Sequence, residues 1–259
     1  MSSKNKKSIK LAQDIEDDVT SDDKEAREFT PSLDIRISSF IVDLLKAAGL
    51  KNLAKKVPFS YKKFWKQKYS HHGFDIMYCG NLGRTKKQNL ERRMKKINIL
   101  FNFMKKFGVN KSHSVLDVGC GVGIFTNYFF EKKFKNYKGI DLTKELIINL
   151  KNKYPNYDFE QKDIGKEDIG GSYDAIIMMS VTQHIIDDRY FKFAMKSVQN
   201  ALKPNGLFFV TDIADADRRD SVYTIRRPLE YYKKILNRLQ FLDMTDFEGL
   251  QLFCFKKVG

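Results

Sequence analysis

Three alternate glycines, Gly119, Gly121 and Gly123, follow an apolar run that contains one acid, Asp117. A strand that ends in such a loop and leads into a helix forms a nucleotide pocket, because glycine lets the backbone approach a ligand closely. The dinucleotide fingerprint G-x-G-x-x-G would need a glycine where Ile124 stands, and the loop is not a G-x-x-x-x-G-K-[ST] phosphate loop. The pattern therefore indicates another type of nucleotide-binding loop, with an ordinary strand-to-helix turn as the alternative.

Two further acids end predicted strands. Asp141 ends the second strand, 24 residues after Asp117, and Asp163 ends the third. An ionised carboxylate only accepts hydrogen bonds and can take both hydroxyls of a ribose. Ligands of open parallel sheets bind beyond the carboxyl ends of the strands, so these acids and the glycine loop are expected at one edge of a sheet. For Asp163 the alternative is a helix or turn cap.

The elements that carry these residues alternate between strand and helix, which predicts a parallel sheet. Strands are predicted at 114–118, 137–141, 157–162, 174–179 and 207–211, followed by a terminal hairpin of 241–247 and 250–257. Helices are predicted at 33–48, 123–134, 143–153, 188–202 and 228–239. A further helix is predicted to run to about Phe107 from a cap at Thr85 or at Asn89.

The helix at 33–48 shows apolar residues at helical spacing, which predicts one buried face. That stripe consists of Ile37, Phe40, Ile41, Leu44, Leu45 and Ala48. Residues 51–69 interleave lysines with aromatic side chains, and we expect 64–69 to pack over the following domain as a lid. A membrane surface or an RNA strand is the alternative partner of this segment. Loops are predicted at 71–74 and 79–83.

The net charge of +15 is unevenly distributed. Residues 1–30 contain 6 basic and 8 acidic residues, whereas residues 31–110 contain 18 basic and 4 acidic residues. This imbalance predicts an anionic partner at 31–110, namely a phosphate, a membrane surface or RNA. The alternative is a solvated lysine-rich face. The polar, mixed-charge composition of 1–30 predicts a disordered tail.

The D-x-G-x-G-x-G motif at Asp117, together with Asp141, resembles class I S-adenosylmethionine-dependent methyltransferases, and the resemblance extends over about 60–259. It implies a Rossmann-like α/β fold with a mostly parallel seven-stranded sheet, a C-terminal antiparallel hairpin, helices on both faces and a helical N-terminal extension. The domains expected are a tail at 1–30, a basic helical extension or lid at 31–110, and a catalytic domain at 111–259.

The resemblance also implies a set of residues around the cofactor. The glycine loop approaches the methionine part, and the acids after the second and third strands bind the ribose and the adenine amine. A preceding aromatic or basic residue binds the cofactor carboxylate and closes the pocket. The residues expected at the cofactor are Asp117, Gly119, Gly121, Asp141, Leu142, Asp163, Ile164, Met179, Trp65, Tyr69 and Arg93. For Arg93 the alternative is a solvated surface position.

A hydroxyl acceptor must also lose its proton, and two residues after late strands could remove it. His184 follows the fourth strand and has a suitable ordinary pKa, although a histidine there can instead brace the next helix. Asp212 ends the fifth strand, and its alternative role is to cap the following loop. That loop lies where the family places acceptor-binding segments, so Arg218, Tyr223 and Arg226 are expected to bind the acceptor.

These patterns predict methylation of a hydroxyl on a small molecule, a sugar or a lipid-linked glycan, and no metal-ligating residues are predicted because zinc-ligand spacing is absent. The alternatives are methylation of a protein N-terminal amine or of RNA, and a non-catalytic partner subunit that keeps the fold. Cys79, Cys120 and Cys254 form no C-x-x-C pair, and the N-terminus lacks an apolar leader. We therefore expect a cytoplasmic protein, with peripheral membrane contact through the basic segment as a variant.

We predict that S-adenosylmethionine binds in the micromolar range in a calorimetric titration and that Asp141→Ala removes the binding. A lost hydrogen bond to a charged group costs about 1.5–3 kcal/mol, which is about ten- to hundredfold in affinity. A wild-type protein that binds no cofactor would contradict this interpretation and indicate a degenerate fold or a pocket that a partner completes.

Overall fold

The computed structural model describes residues 29–80 and 84–259. The tail predicted at 1–30 lies almost wholly outside the described residues, as does part of the loop predicted at 79–83. The strands are β1 (Ser114–Val118), β2 (Asn136–Asp141), β3 (Asp158–Gln161), β4 (Tyr173–Met178), β5 (Leu202–Asp212), β6 (Arg218–Ser221), β7 (Thr224–Arg226), β8 (Leu239–Asp246) and β9 (Gln251–Lys257).

The helices fall into an N-terminal group and a group that connects the strands. The first group is α1 (Leu33–Ala47), α2 (Lys51–Ala54), α3 (Tyr61–His72), α4 (Ile76–Cys79) and α5 (Lys86–Lys106). The second group is α6 (Ile124–Glu131), α7 (Lys144–Lys153), α8 (Asp188–Ala201) and α9 (Leu229–Ile235), with a 3₁₀ turn at Thr182–His184.

Seven strands form one sheet in the order β3-β2-β1-β4-β5-β9-β8. The first five pair in parallel, and β9 runs antiparallel to both β5 and β8. This order confirms the predicted fold. The chain builds outward from β1 in one direction and then returns to add β4 on the other side, which opens a crevice at the carboxyl ends of β1 and β4. The separate β6–β7 hairpin is not predicted by the sequence pattern.

Side chains of the sheet alternate between two apolar layers, as strand geometry requires. Val115 and Phe209 face the layer that contains α5, α6 and α7, whereas Leu116 and Phe208 face the layer that contains α8 and α9. Helices therefore cover both faces, as predicted. Both layers are closed to water at the sheet, so the strand ends are held rigidly beneath the crevice.

Helix α5 belongs to the core of the sheet. A reciprocal capping box between Thr85 and Gln88 starts it, and Leu100 and Met104 are buried against the sheet. The apolar core that supports β1 therefore begins within 86–106, ahead of position 111, where the sequence analysis placed the domain start.

Helix α1 is present as predicted, but its predicted buried face is wrong. Ile35 and Val42 are the buried residues, and they pack with Phe64 and Val222. Most of the predicted stripe is on the surface of the described structure, with Ile37, Phe40, Ile41 and Leu44 between 39% and 69% exposed. Both sides of this helix are apolar, so the period of the sequence cannot say which side packs inward.

The predicted loops at 71–74 and 79–83 are partly wrong as well. His71 and His72 end α3, and Cys79 ends α4. Asp75 caps α4 by accepting from the Met77 amide, which lets a helical turn follow Gly73 directly. None of the helices in the described parts of the chain combines the length and the apolar character that a membrane crossing requires.

We predict that Leu100→Ala lowers the free energy of unfolding by about 2–5 kcal/mol, because it leaves a cavity under the sheet. Leu44→Ala, at a 58% exposed position, should change it by less than about 0.5 kcal/mol. Urea unfolding of both variants measures the difference. A large loss for Leu44→Ala would contradict the packing of α1 described above.

Candidate active site

A cavity of about 460 Å³ lies at the carboxyl ends of the parallel strands. Its floor is the loop after β1 and the residues that follow β2, β3 and β4. Helices α3 and α5 and the β6–β7 hairpin form its walls. Its volume falls within the range of pockets that enclose small molecules.

The glycine loop takes a backbone shape that side chains would block. Gly119 has φ +74° and Gly121 has φ +57°. A Cβ on Gly119 would lie 2.4 Å from Val181 Cγ2, and a Cβ on Gly121 would lie 2.6 Å from Cys79 Sγ. Both positions therefore require glycine for conformation and for space. The loop from Val118 to Gly121 lines the cavity.

Asp141 is placed as the sequence predicts, at the end of β2 and on the cavity wall. Its Oδ2 accepts from the Gly121 amide at 3.0 Å, and its Oδ1 accepts from the Thr143 amide at 2.9 Å. Burial raises the pKa of this carboxyl, while the amide hydrogen bonds oppose the rise. Each oxygen keeps a further lone pair for a hydroxyl in the cavity, so the residue fits a ribose. Leu142, Ile164 and Met179 line the cavity nearby.

Asp117 differs from the prediction in its surroundings. Its side chain is buried and is not part of the cavity wall that the structure describes. Its Oδ2 accepts from the Tyr137 hydroxyl at 2.9 Å, and burial raises the pKa of the carboxyl to about 7. The predicted contact of Asp117 with the cofactor, which the resemblance implies for its ammonium group, stays a prediction, and in this geometry Asp117 joins β1 to β2 beneath the loop.

Asp163 lines the cavity, but its carboxylate is also bound to the N-terminal extension. Its Oδ2 accepts from the Tyr61 hydroxyl at 2.7 Å and pairs with Lys62 at 2.9 Å. Its Oδ1 accepts from the Gly165 amide at 3.2 Å, which is the turn-cap role of the alternative interpretation. The residue therefore holds α3 against the domain, and its predicted contact with adenine remains untested.

Aromatic residues of α3 cover the cavity from above. Phe64 stacks on Tyr223 of the β6–β7 hairpin with ring centroids 4.7 Å apart, and Trp65 meets the edge of His184 at 5.1 Å. Trp65 and Tyr223 line the cavity, whereas Tyr69 does not, and its hydroxyl accepts from Asn149 at 3.2 Å. Helix α3 therefore lies against the cavity through Tyr61, Trp65 and Lys68, and the predicted role of 64–69 as a lid stays a prediction.

His184 has a defined tautomer because each ring nitrogen meets a partner of one kind. Its Nδ1 lies 2.8 Å from the Tyr223 carbonyl oxygen, which can only accept, so Nδ1 carries the proton. Its Nε2 lies 3.3 Å from the Gln183 amide nitrogen, which can only donate. Burial lowers the pKa of His184 to about 4, with Lys68 and Arg226 acting in the same direction. The ring is therefore neutral at pH 7, with a basic nitrogen at the cavity.

The remaining predicted residues divide between the cavity and the fold. Asp212 is fully buried, accepts from the Tyr232 hydroxyl at 2.8 Å and is outside the described cavity wall, which favours its structural alternative. Arg226 reaches the cavity and binds Asp220 at 2.7 Å and Gln183 at 2.5 Å. Arg218 points to Asp220 on the surface and does not line the described cavity.

Sequence analysis missed several cations on the cavity wall. Arg93 is present as predicted and donates to the Cys79 carbonyl. Lys68, Arg92 and Lys96 line the same cavity without having been singled out. A lysine in a basic helix is usually solvated, so the presence of a lysine there does not by itself indicate a functional site. The useful signal was the helical phase, because Arg92 and Lys96 precede the buried Leu100 at intervals of four.

A family model described as a methyltransferase domain matches residues 87–254. A putative methyltransferase of Invertebrate iridescent virus 6 is 28% identical over 110 residues, which is 42% of this chain and 40% of that protein. The mitochondrial ubiquinone biosynthesis O-methyltransferase of Saccharomyces cerevisiae is 30% identical over 135 residues, 49% of this chain and 36% of that protein. The chain thus matches less than half the length of both relatives.

The N-methyltransferase NodS of Bradyrhizobium japonicum WM9, solved with S-adenosyl-L-homocysteine, has the same fold. It superposes with a TM-score of 0.55 at 19% identity and covers 63% of this chain and 86% of its own. Helix α5, which packs in the apolar core of the sheet, falls almost wholly within the matched family region.

We predict that Gly121→Ala weakens binding of S-adenosylmethionine, the cofactor that the sequence predicts, by about tenfold or more, or about 1.4 kcal/mol. The added methyl group must displace Cys79 from the loop. Gly170→Ala is the matched control, since Gly170 has φ +68° but open space around its Cβ. Both variants incur a backbone cost of about 1–2 kcal/mol, measured by thermal unfolding, and only Gly121→Ala should lose affinity. Equal affinities of Gly121→Ala and Gly170→Ala for S-adenosylmethionine in calorimetry would contradict the placement of the cofactor at the glycine loop.

Proposed function

The chain belongs to the class I S-adenosylmethionine-dependent methyltransferase family, and on that premise we propose that it methylates a hydroxyl group of a small molecule, a sugar or a lipid-linked glycan. The observation that carries the choice of a hydroxyl is the neutral His184 ring at the end of β4. His184 lines the described cavity, and its Nε2, which carries no proton, would serve as the base.

The cofactor, when bound, supplies a methyl group on a positively charged sulfur. The chain's own residues then mainly position the reactants and exclude water, and such positioning dominates a displacement of this kind. Asp141 and the glycine loop would hold the nucleoside part and the methionine part. Trp65 and the Phe64–Tyr223 stack close the cavity above them.

His184 would accept the proton of the acceptor hydroxyl at Nε2. The Tyr223 carbonyl holds the opposite nitrogen protonated and fixes the plane of the ring, so the basic lone pair keeps one direction. An acceptor hydroxyl would replace the weak contact with the Gln183 amide, and the amide keeps its bond to Arg226 through its oxygen. The Tyr223 carbonyl supplies the orienting partner that a general base needs, and the lowered pKa keeps the ring unprotonated at pH 7 while making it a weaker base than an ordinary histidine.

The size of the cavity and the position of α3 over it favour a small acceptor over a polymer. The cavity of about 460 Å³ lies under α3, which limits access from that side. Relatives and structural neighbours of the chain are named as O- and N-methyltransferases, so an amine acceptor is the alternative within small molecules. A polymer acceptor would have to reach the cavity past Phe64 and Trp65.

We predict that His184→Asn lowers kcat on a hydroxyl acceptor by about a hundredfold or more. Asparagine keeps a nitrogen donor at the position of Nδ1 for the Tyr223 carbonyl, yet offers no base at Nε2. Cofactor affinity should stay within about threefold of wild type, and the melting temperature should change little.

The acceptor is found by a screen with radiolabelled S-adenosylmethionine against phenols, sugars, lipid-linked glycans, amines, peptides and RNA. Turnover confined to peptides or RNA would contradict the proposed function. An unchanged kcat in His184→Asn would assign the histidine a bracing role only.

A further inference from the structure

The cavity wall carries more cationic than anionic side chains, and the anionic ones lie at one side of the sheet. Among the described residues, six cationic side chains line the cavity against two carboxylates, Asp141 and Asp163. Both carboxylates stand after β2 and β3, at one side of the sheet. The opposite side of the cavity is bounded by α5 and by the β8–β9 loop at 247–250, and it holds cations without a carboxylate on the wall.

Lys96 is the most unusual of these cations. It is only 4% exposed and forms no hydrogen bond or ion pair with any residue in the described part of the chain, although its ammonium lies 5.0 Å from the Phe247 ring. Burial lowers the pKa of Lys96 to about 7, and Arg93, Arg92 and Arg226 add to this while Glu248 opposes it. A buried ammonium without an anion is costly, so its natural complement is a negative group in the cavity it lines.

Arg92 stands four residues before Lys96 and therefore on the same face of α5. One of its terminal nitrogens donates to the Glu248 carbonyl, which fixes the guanidinium over the β8–β9 loop. No other hydrogen bond of this guanidinium is formed within the described residues, so its remaining N–H groups are available to a ligand. The pair can bind a planar or tetrahedral oxyanion from two directions.

This pair is distinct from the cation expected at the cofactor carboxylate. Arg93 donates to Cys79, whose sulfur closes over Gly121, so Arg93 belongs to the glycine loop. Lys96 and Arg92 instead contact the loop that joins β8 to β9, and β5 and β4 lie between those strands and β1. Arg93 nevertheless acts on the pKa of Lys96 more strongly than any other charge, so the two cation sites adjoin each other on α5.

We propose that Lys96 and Arg92 form a subsite for an oxyanion, a carboxylate or a phosphate, carried by the methyl acceptor. The inference rests on the proposed methyl transfer and specifies its substrate class: an anionic small molecule. The acceptor must approach the positively charged sulfur of the cofactor closely. A negative charge on the acceptor complements both that sulfur and the cations that line the cavity.

The test uses the full chain saturated with S-adenosylhomocysteine, with benzoate, benzamide and inorganic phosphate as probes in chemical-shift titrations at pH 6.5. Benzamide has the shape of benzoate without its charge. Variants are Lys96→Met, which keeps the buried apolar stem, and Arg92→Gln. Lys95→Met is the matched control, because Lys95 is the exposed neighbour on the same helix.

Wild type should bind benzoate or phosphate at least about tenfold more tightly than benzamide, as a hydrogen-bonded charge requires. Lys96→Met and Arg92→Gln should each lose about tenfold, with Lys95→Met within twofold of wild type. The stronger of the two anions identifies the oxyanion.

Equal binding of benzoate and benzamide would overturn the subsite, and so would unchanged anion affinity in Lys96→Met. Displacement of S-adenosylhomocysteine by the anion would also overturn it, because the anion would then occupy the cofactor site. Cofactor binding is measured separately in each variant. A wild-type chain that binds no S-adenosylhomocysteine would overturn the proposed function itself, and the subsite with it.

Discussion

The hydrogen bond from the Gly121 amide to the Asp141 carboxylate joins the two strands on which the cavity is built. It can form only because the loop after β1 turns through positive φ at Gly119 and Gly121. Any side chain at these positions would collide with Val181 or Cys79. The same contact therefore sets the shape of the loop and aims the carboxylate at the cavity. A ligand that replaces water around Asp141 meets an acceptor that is already oriented.

The N-terminal extension is held to this platform by polar contacts rather than by the sheet's apolar core. Tyr61 and Lys62 bind Asp163 at one end of the cavity. Arg219 of the β6–β7 hairpin donates to the Ala54 and Val57 carbonyls at 2.9 and 2.8 Å. Burial lowers the pKa of this arginine to about 10, and it stays charged at neutral pH. These polar contacts add to the separate apolar cluster of Ile35, Val42, Phe64 and Val222, so the extension is held to the domain by both kinds of contact.

The parallel sheet could be predicted from sequence because its signals are local. β1 was placed at 114–118 without error, since an apolar run ends at glycine there, and Asp141 followed from its place after β2. The buried face of α1 could not be predicted, because Ile35 and Leu44 lie on opposite apolar sides and only tertiary packing distinguishes them. The β6–β7 hairpin was missed because its strands are short and rich in arginine.

Some residues of the candidate site could likewise be predicted from the sequence, and others could not. Residues directly after strands lie on the cavity wall as expected, among them Asp141, Leu142 and Ile164. Asp117 sits inside β1, so the pleat turns its side chain into the core toward Tyr137. Lys96 could not be found from its type, because its burial depends on the distant β8–β9 loop.

The crystal structure of the chain with S-adenosylhomocysteine tests the central claim most directly. The account predicts that the ribose hydroxyls lie within hydrogen-bond distance of Asp141 and that the amino-acid carboxylate lies at Arg93, leaving Lys96 and Arg92 without a cofactor contact. A nucleoside bound away from Asp141, or a cofactor carboxylate at Lys96, would contradict it.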